Sequence, residues 1–265
     1  DVVSDLPGVG ENLQDHLDIL SHYECTQPVT DARHMMGPFG WGVVKQALIL
    51  GQWALTGTGP GNDIGLAALS FLKTDDSLDV PDIQMHFIGA LLKDHGKTKP
   101  DQHCFSNHVC MLRPESRGYI ALKSLDPTTQ PLIQPNYLST QKDIDVMVKG
   151  VKLSREIISQ KAFDDYRGAE LNPGPQVQTD KDIEEFIRSN AETIYHPVGT
   201  CKMGNDEFSV VDDKLRVRGV ENLRVVDASV MPTLIGGNTN APTIMIADKI
   251  SDHILGKDFL PAENF

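Results

Sequence analysis

Cysteine and positive charge are both scarce in this 265-residue chain. Its four cysteines include no Cys-x-x-Cys pair, which argues against a disulfide scaffold and favours a reducing compartment. Lysine and arginine number 24 against 37 aspartates and glutamates, which gives a net charge of -13. Such an acidic chain is a poor partner for nucleic acid or for an anionic membrane surface, so we expect neither.

Long hydrophobic runs are missing as well. The most apolar stretch, residues 39–55, contains Lys45, Gln46 and Gln52 and is short for a membrane span. No segment has the pattern of a signal or transit peptide. We therefore expect a cytoplasmic protein, with shallow peripheral contact with a membrane left open at this stretch. The chain starts at Asp1 within a strand-like pattern, which suggests a piece of a longer protein.

Several catalytic motifs are absent. Neither His-Glu-x-x-His nor Gly-x-Ser-x-Gly occurs, so the sequence gives no support for a zinc peptidase or an α/β-hydrolase. The cluster of His103, Cys104, His108 and Cys110 fits no common zinc spacing, and we predict no metal site.

A short glycine motif occurs near the start. Gly8-Val9-Gly10 begins like a dinucleotide-binding loop, but Leu13 stands where the third glycine belongs and no helical pattern follows. A tight turn is the better interpretation.

Hydrophobic periodicity predicts a mixed α/β (α+β) fold. Strands are predicted at residues 82–89, 108–112, 119–122 and 223–226, with the second and third forming a hairpin. Helices are predicted at residues 141–160, after Thr179, and at residues 242–255, the last with Ile244, Ala247, Ile250 and Ile254 facing inward.

His196 is the strongest candidate for a catalytic side chain among nine histidines. It precedes Pro197, which favours an extended backbone at His196, and Gly199 follows closely and allows near approach of a ligand. An unperturbed imidazole titrates near neutral pH, as a general base requires. A single histidine is nevertheless more often a structural group than a catalyst.

Two further sites lie in the last fifth of the chain. Thr239, Asn240 and Ala241 open the last predicted helix, whose positive end can stabilise a developing negative charge. Asp227 follows a predicted strand, where ligands often bind in α/β sheets, although a simple Asx turn explains it equally well.

Three blocks of sequence together resemble the glucose-methanol-choline (GMC) family of flavin oxidoreductases, in its choline and alcohol dehydrogenase branch. They are residues 6–16 (LPGVGENLQDH), 196–204 (HPVGTCKMG) and 223–243, which includes DASVMP and GNTNAPT. The resemblance implies FAD-dependent oxidation of an alcohol CH–OH group to the aldehyde. Hydride would pass to flavin N5, and the electrons would then pass to a quinone-type or other acceptor.

The resemblance also assigns residues and domains. It implies His196 and Asn238 as the catalytic pair, and flavin contacts at Tyr195, Asp227, Ala228, Thr239 and Asn240. Residues 1–20 would be a remnant of the FAD-binding domain and residues 191–265 its C-terminal part. Residues 21–190 would be a substrate-binding domain, with an antiparallel sheet flanked by helices.

Two alternatives remain open at this stage. The family's Gly-x-Gly-x-x-Gly loop, which holds the ADP half of FAD, does not occur here, so the chain alone would be a non-catalytic fragment that cannot hold FAD. A quaternary ammonium substrate favours aromatic faces and a carboxylate. Aromatics are 6% and no glutamate lies between Glu24 and Glu115, so we expect an uncharged primary alcohol, with choline as the alternative.

Overall fold

The chain forms two compact units, neither of which is a contiguous stretch of sequence. The computed structural model describes residues 4–30, 41–62, 66–91 and 102–258, with Val2, Pro261 and Glu263. Unit 1 comprises residues 1–17, 112–143 and 193–265, and unit 2 comprises residues 18–111 and 144–192.

An antiparallel sheet dominates unit 2. Its strands are β1 (Leu17–Cys25), β2 (Leu66–Leu72), β3 (Ile83–Ile88), β4 (Cys104–Met111) and, later in the chain, β7 (Arg167–Asn172). Their order across the sheet is β2-β3-β4-β1-β7, and the short strand β8 (Glu192–Thr193) also pairs with β1. Two strands of unit 1, β5 (Tyr119–Ala121) and β6 (Leu132–Gln134), form a separate antiparallel pair.

In the described parts of the chain, four α-helices accompany these strands. They are α1 (Trp41–Thr56), α2 (Gln141–Ile158), α3 (Asp180–Asn190) and α4 (Asn240–Ile254). The hydroxyl oxygen of Thr140 accepts a hydrogen bond from the N–H of Asp143 at the start of α2, and Thr179 forms a capping box with Asp182 at the start of α3. The predicted mixed fold, with an antiparallel sheet flanked by helices, is confirmed.

Helix α2 packs on one face of the sheet in unit 2. Gly150 lies so close to Val109 and Ile83 that a Cβ there would be 2.7 Å from Val109 Cγ1. Beside it, Asn107 donates a hydrogen bond of 2.8 Å to Ser154 Oγ. The glycine therefore lets the helix approach the strands closely.

The predicted hairpin between residues 108–112 and 119–122 is wrong. Strand β4 pairs with β1 and β3, whereas β5 pairs with β6. The carboxylate of Asp143 explains the difference, because it accepts hydrogen bonds of 2.9 Å from the N–H groups of both Glu115 and Ser116. These bonds hold the intervening segment away from a tight hairpin turn, so β5 finds its partner across the turn at Asp126 instead.

Two other expectations also fail. Residues 223–226 make only scattered pairs, such as Val225 N–H to Leu215 O at 3.2 Å, and form no strand. In α4, Ile250 is buried, but Ile244 and Ile254 are 60% and 56% exposed. Unit 1 buries a narrower face of this helix than the sequence period suggests, because its core takes only Ile250 and, partly, Ile246.

The stretch proposed for shallow membrane contact forms α1, whose apolar side chains are largely exposed. They are Val43, Val44, Leu48, Leu50, Trp53 and Leu55. Within residues 41–62 and the other described segments, no helix combines the length and the hydrophobicity needed to cross a bilayer.

Candidate active site

The glycine turn of residues 7–10 places the segment that builds the site. A Cβ at Gly8 would lie 2.0 Å from Phe208 O, and a Cβ at Gly10 would lie 2.1 Å from Ile120 O. Both positions therefore require glycine because of close backbone contact. The turn prediction is confirmed, and residues 12–16 follow directly from it.

His196 lies in a strained loop after β8. The preceding residue, Tyr195, has a positive φ of 66° and an exposed side chain, and its N–H donates to Thr193 Oγ1 at 2.9 Å. A left-handed aromatic residue is costly unless neighbouring contacts hold it, and such strain concentrates at functional sites. His196 itself is buried, with 9% of its surface exposed.

The carboxylate of Asp15 fixes this loop. Its Oδ1 accepts the backbone N–H of His196 at 2.9 Å, and its Oδ2 accepts the hydroxyls of Tyr137 and Thr193, each at 2.5 Å. Hydrogen bonds to an ionised group each contribute about 1.5–3 kcal/mol. Burial, followed by the bond to Asp15, raises the pKa of Tyr137, which therefore remains a neutral donor.

His16 contacts the ring of His196. The two Nδ1 atoms are 2.9 Å apart, and the rings meet edge to face. Nε2 of His16 lies 3.2 Å from Leu112 O and 3.1 Å from Ile235 O. His16 is fully buried, and this burial, followed by the charge of His196, lowers its pKa to about 4. It is therefore neutral at pH 7.

Gln14 and Asn12 bind the loop that leads to Asn238. Gln14 Nε2 donates to Pro232 O at 3.2 Å, and Gln14 Oε1 accepts the N–H of Leu234 at 3.1 Å. Asn12 Nδ2 lies 3.2 Å from both Gly199 O and Pro232 O. One five-residue segment, residues 12–16, thus holds the His196 loop and the loop before Asn238 against each other.

Asn238 itself is exposed, directly before the start of α4. Thr239 is the N-cap of this helix and is buried, yet its side chain makes no capping hydrogen bond. Asn240, the first helical residue, is exposed. The first turn thus keeps its backbone N–H groups uncapped by Thr239, which suits an anionic or carbonyl ligand.

Asp227 and Ala228 lie in a short 3-10 turn. The carboxylate of Asp227 accepts the N–H of Ser229 at 2.8 Å and the hydroxyl of Ser229 at 2.5 Å, which is the Asx-turn arrangement. Ala228 is half-buried against the cluster of Val198, Met231 and Leu234. The turn therefore belongs to the same packed region as the His196 loop.

All seven predicted site residues lie in unit 1. Sequence reasoning assigned no role to Asp15 and His16, which contact His196 directly, or to Tyr137, which donates to Asp15. The available signal was a run of mostly polar residues directly after a glycine turn. A buried polar group must be hydrogen-bonded, but the sequence alone does not reveal that this run is buried.

A metal has no evident place among the residues that the structure describes, since no three His, Cys, Asp or Glu side chains converge there. The described contacts position the imidazole of His196, and Gln14 binds the segment at Pro232 and Leu234 that leads to Asn238 and to the N-terminus of α4. These groups suit proton transfer beside a ligand that gains negative charge.

Comparison with protein families gives a match to GMC oxidoreductase over residues 114–247. The chain belongs to the GMC oxidoreductase family. The resemblance inferred from the three sequence blocks is thereby confirmed, and the curated relatives are choline dehydrogenases.

Curated relatives match over almost the whole chain. The oxygen-dependent choline dehydrogenase of Acinetobacter baumannii (strain AYE) is 46% identical over 261 residues, covering 98% of this chain and 46% of the relative. The enzyme of the same name from Cronobacter sakazakii is 45% identical over 260 residues, covering 98% of this chain and 45% of the relative. The chain thus spans less than half the length of these relatives.

Solved structures share the fold. Pyridoxine 4-oxidase from Mesorbium loti superposes with a TM-score of 0.77 at 26% identity, covering 96% of this chain and 45% of that one. Formate oxidase from Aspergillus oryzae RIB40, studied for its FAD modification, superposes with a TM-score of 0.86 at 23% identity, covering 97% of this chain and 48% of that one.

Proposed function

We propose that the protein containing this chain is an FAD-dependent oxidoreductase that converts the CH–OH group of a small alcohol to an aldehyde. The observation that carries this proposal is the buried ring of His196, held at Nδ1 by His16 and through its backbone by Asp15. An imidazole that is anchored at one nitrogen can use its other nitrogen to accept a hydroxyl proton.

The start of α4 fits the pyrimidine end of a flavin. Its first-turn N–H groups have no side-chain cap from Thr239, and a Cβ added at Gly237 would meet no atom within 4 Å. Donors at a helix N-terminus favour a ring that becomes negatively charged on reduction. We assign Thr239 and Asn240 to this contact, with Tyr195, Asp227 and Ala228 as further flavin neighbours.

When bound, FAD would supply the hydride acceptor. His196 accepts the hydroxyl proton of the alcohol, and Asn238 donates a hydrogen bond to the same oxygen from the neighbouring loop. Asp15 holds the backbone of His196 and Gln14 holds the loop before Asn238, which supports the proposal that both side chains contact one substrate oxygen. The helix N-terminus of α4 adds electrostatic stabilisation where negative charge develops.

Replacing His196 tests the assignment. In the full-length protein, His196→Ala should slow flavin reduction by an alcohol about 10²–10⁴-fold in stopped-flow absorbance, because the general base is lost. The matched control is His253→Ala, a half-buried histidine in the last turn of α4, which should leave the rate unchanged. Reduction of the His196 variant at the wild-type rate would contradict the proposal.

The substrate is proposed to be an uncharged primary alcohol, with choline as second candidate. The first follows from the lack of glutamate between Glu24 and Glu115, since a quaternary ammonium favours a carboxylate and aromatic faces. The second is favoured by the choline dehydrogenases at 46% identity. Steady-state kcat/KM values for choline and for a medium-chain alcohol, measured on the full-length protein, would choose between them.

The two-unit division supports the proposed domain assignment in part. Unit 1 contains residues 1–17 and 193–265, which nearly match the proposed FAD-domain segments 1–20 and 191–265. Residues 112–143 group with unit 1, although they fall within the proposed substrate domain of residues 21–190. A quinone or another carrier would take the electrons after each turnover.

A further inference from the structure

One hydrogen bond joins the two buried histidines of the site, His16 and His196. His16 Nδ1 and His196 Nδ1 are 2.9 Å apart, which is hydrogen-bond distance. A hydrogen bond between two ring nitrogens needs one nitrogen with a proton and one with a lone pair. The direction of this bond therefore determines the tautomer of His196.

The surroundings of His16 Nε2 require that this nitrogen carries a proton. This nitrogen faces two backbone carbonyl oxygens, Leu112 O at 3.2 Å and Ile235 O at 3.1 Å. Carbonyl oxygens only accept hydrogen bonds, so Nε2 must be the donor. A deprotonated Nε2 would place a lone pair against two oxygens in a buried site, which is repulsive.

His16 holds no second proton at neutral pH. The titratable groups near it are His196, whose protonation would disfavour a second proton on His16, and Asp15, which favours that proton more weakly. The oxygens of Asp15 already accept three hydrogen bonds, from His196 N–H, Tyr137 and Thr193. Full burial opposes a charged ring. With its proton on Nε2, His16 presents a lone pair at Nδ1.

We propose that His16 is a positioning residue that holds His196 in the Nδ1–H tautomer, so that His196 Nε2 is the atom that accepts a substrate proton. His196 then donates from Nδ1 to His16. During the reaction the O–H bond of the alcohol breaks and an Nε2–H bond forms. The resulting imidazolium keeps its Nδ1–H bond to His16. The base role of Nε2 rests on the proposed function, whereas the tautomer does not.

Two amide variants separate positioning from simple packing. In His16→Asn, the amide oxygen lies near the former Nδ1 and can accept the proton of His196, but no donor reaches the carbonyls of Leu112 and Ile235. In His16→Gln, the amide nitrogen can reach these carbonyls, but the acceptor at the δ position is lost. The two variants thus each keep one half of the hydrogen bonding of His16.

The positioning role predicts that His16→Asn keeps most of the flavin reduction rate in the full-length enzyme. His16→Gln should lose about 10²-fold or more, as expected when a general base is in the wrong tautomer. A reversed order, with the glutamine variant active and the asparagine variant slow, would assign His16 a purely structural role. Equal loss in both variants would also overturn the proposal.

A spectroscopic measurement tests the tautomer without any turnover. In full-length protein labelled with ¹⁵N-histidine, the nitrogen shifts of His196 should show a protonated Nδ1 and an unprotonated Nε2 near pH 7. The same pattern should persist in His16→Asn and weaken in His16→Gln. The opposite tautomer in the wild type would overturn the inference. The expected tautomer together with an unimpaired His196→Ala enzyme would instead refute only the proposed function.

Discussion

Asp15 and His16 are adjacent residues with different tasks at the site. Asp15 holds the backbone of His196 through a charge-assisted hydrogen bond, and His16 contacts its ring. Both lie before an apolar strand, and both are buried. The catalytic role proposed for His196 therefore depends on two side chains that lie about 180 positions earlier in the sequence.

Burial of neutral His16 should make the stability of the protein depend on pH. Its pKa is lowered from 6.5 to about 4 in the folded state, so the unfolded chain binds the proton more tightly. The resulting stability is present above pH 6.5 and is lost as the pH falls towards 4. A shift of this size corresponds to roughly 3 kcal/mol.

Chemical denaturation of the full-length protein at several pH values checks this expectation. The free energy of unfolding of the wild type should fall more steeply between pH 6.5 and 4 than that of His16→Asn, which lacks the titrating ring. Parallel pH profiles for the two proteins would show that His16 is not the group responsible.

At the scale of single residues, the sequence marks His196 as a candidate catalytic residue but does not predict which side chains surround it. The motif around Pro197 and Gly199 marks the histidine, because local backbone restriction is readable from neighbouring residues. The contacts of Asp15 to Tyr137 and Thr193 join three distant segments. Such contacts depend on tertiary packing, which hydrophobic periodicity does not encode.

The helices and strands are predicted well where local signals are strong. Helices α2 and α3 begin at the residues that their threonine caps indicate, and β3 lies where the alternating sequence predicts a strand, although residues 83–86 are buried on both faces. Strand pairing is predicted poorly. Nothing local reveals that Asp143 holds the chain between β4 and β5, so adjacency in sequence suggests a hairpin that does not form.

Replacing glycine by alanine should change the stability of the protein in opposite directions at two helical positions. Gly51 in α1 has no atom within 4 Å of an added Cβ, so Gly51→Ala should stabilise the protein by about 0.5–1 kcal/mol through helix propensity. In α2, a Cβ at Gly150 would lie 2.7 Å from Val109 Cγ1 and 3.0 Å from Ile83 Cδ1. Overpacking there should cost about 1–3 kcal/mol and outweigh the propensity gain.

The free energy of unfolding, measured by urea denaturation for both variants, tests this pair. Because both glycines lie within helices of unit 2, each variant serves as the control for the other. An equal gain in stability from the two substitutions would mean that α2 does not approach the sheet as closely as described.

At the scale of the whole molecule, the chain spans 46% of the length of a choline dehydrogenase relative. Helix α4 exposes Ile244, Met245 and Ile254. The sequence pattern predicts that Ile244 and Ile254 face inward, whereas both side chains are exposed. The hydrophobic period of α4 therefore predicts a wider buried face than the one that unit 1 covers, where Ile250 is buried and Ile246 is partly buried.

We expect residues 1–265, expressed alone, to bind flavin poorly. Purified after expression of residues 1–265 alone, it should lack the flavin absorption band, whereas the full-length protein should show it at one flavin per chain. The physical reason is that the proposed contacts reach only the flavin ring, and no Gly-x-Gly-x-x-Gly loop is present in this sequence to hold the diphosphate. A stoichiometric flavin band in the separate chain would refute this expectation.

The position of residues 12–16 also determines when the site can form. Gln14 and Pro232 are 218 positions apart, and His16 and His196 are 180 apart. Proteins are synthesised from the N-terminus, and contacts between distant residues form late because closing long loops is costly. The full set of contacts of residues 12–16 can therefore form only after residue 235 has been synthesised, and until then the polar groups of this segment remain solvated. The proposed site around His196 is thus assembled late in synthesis, after most of the chain has been translated.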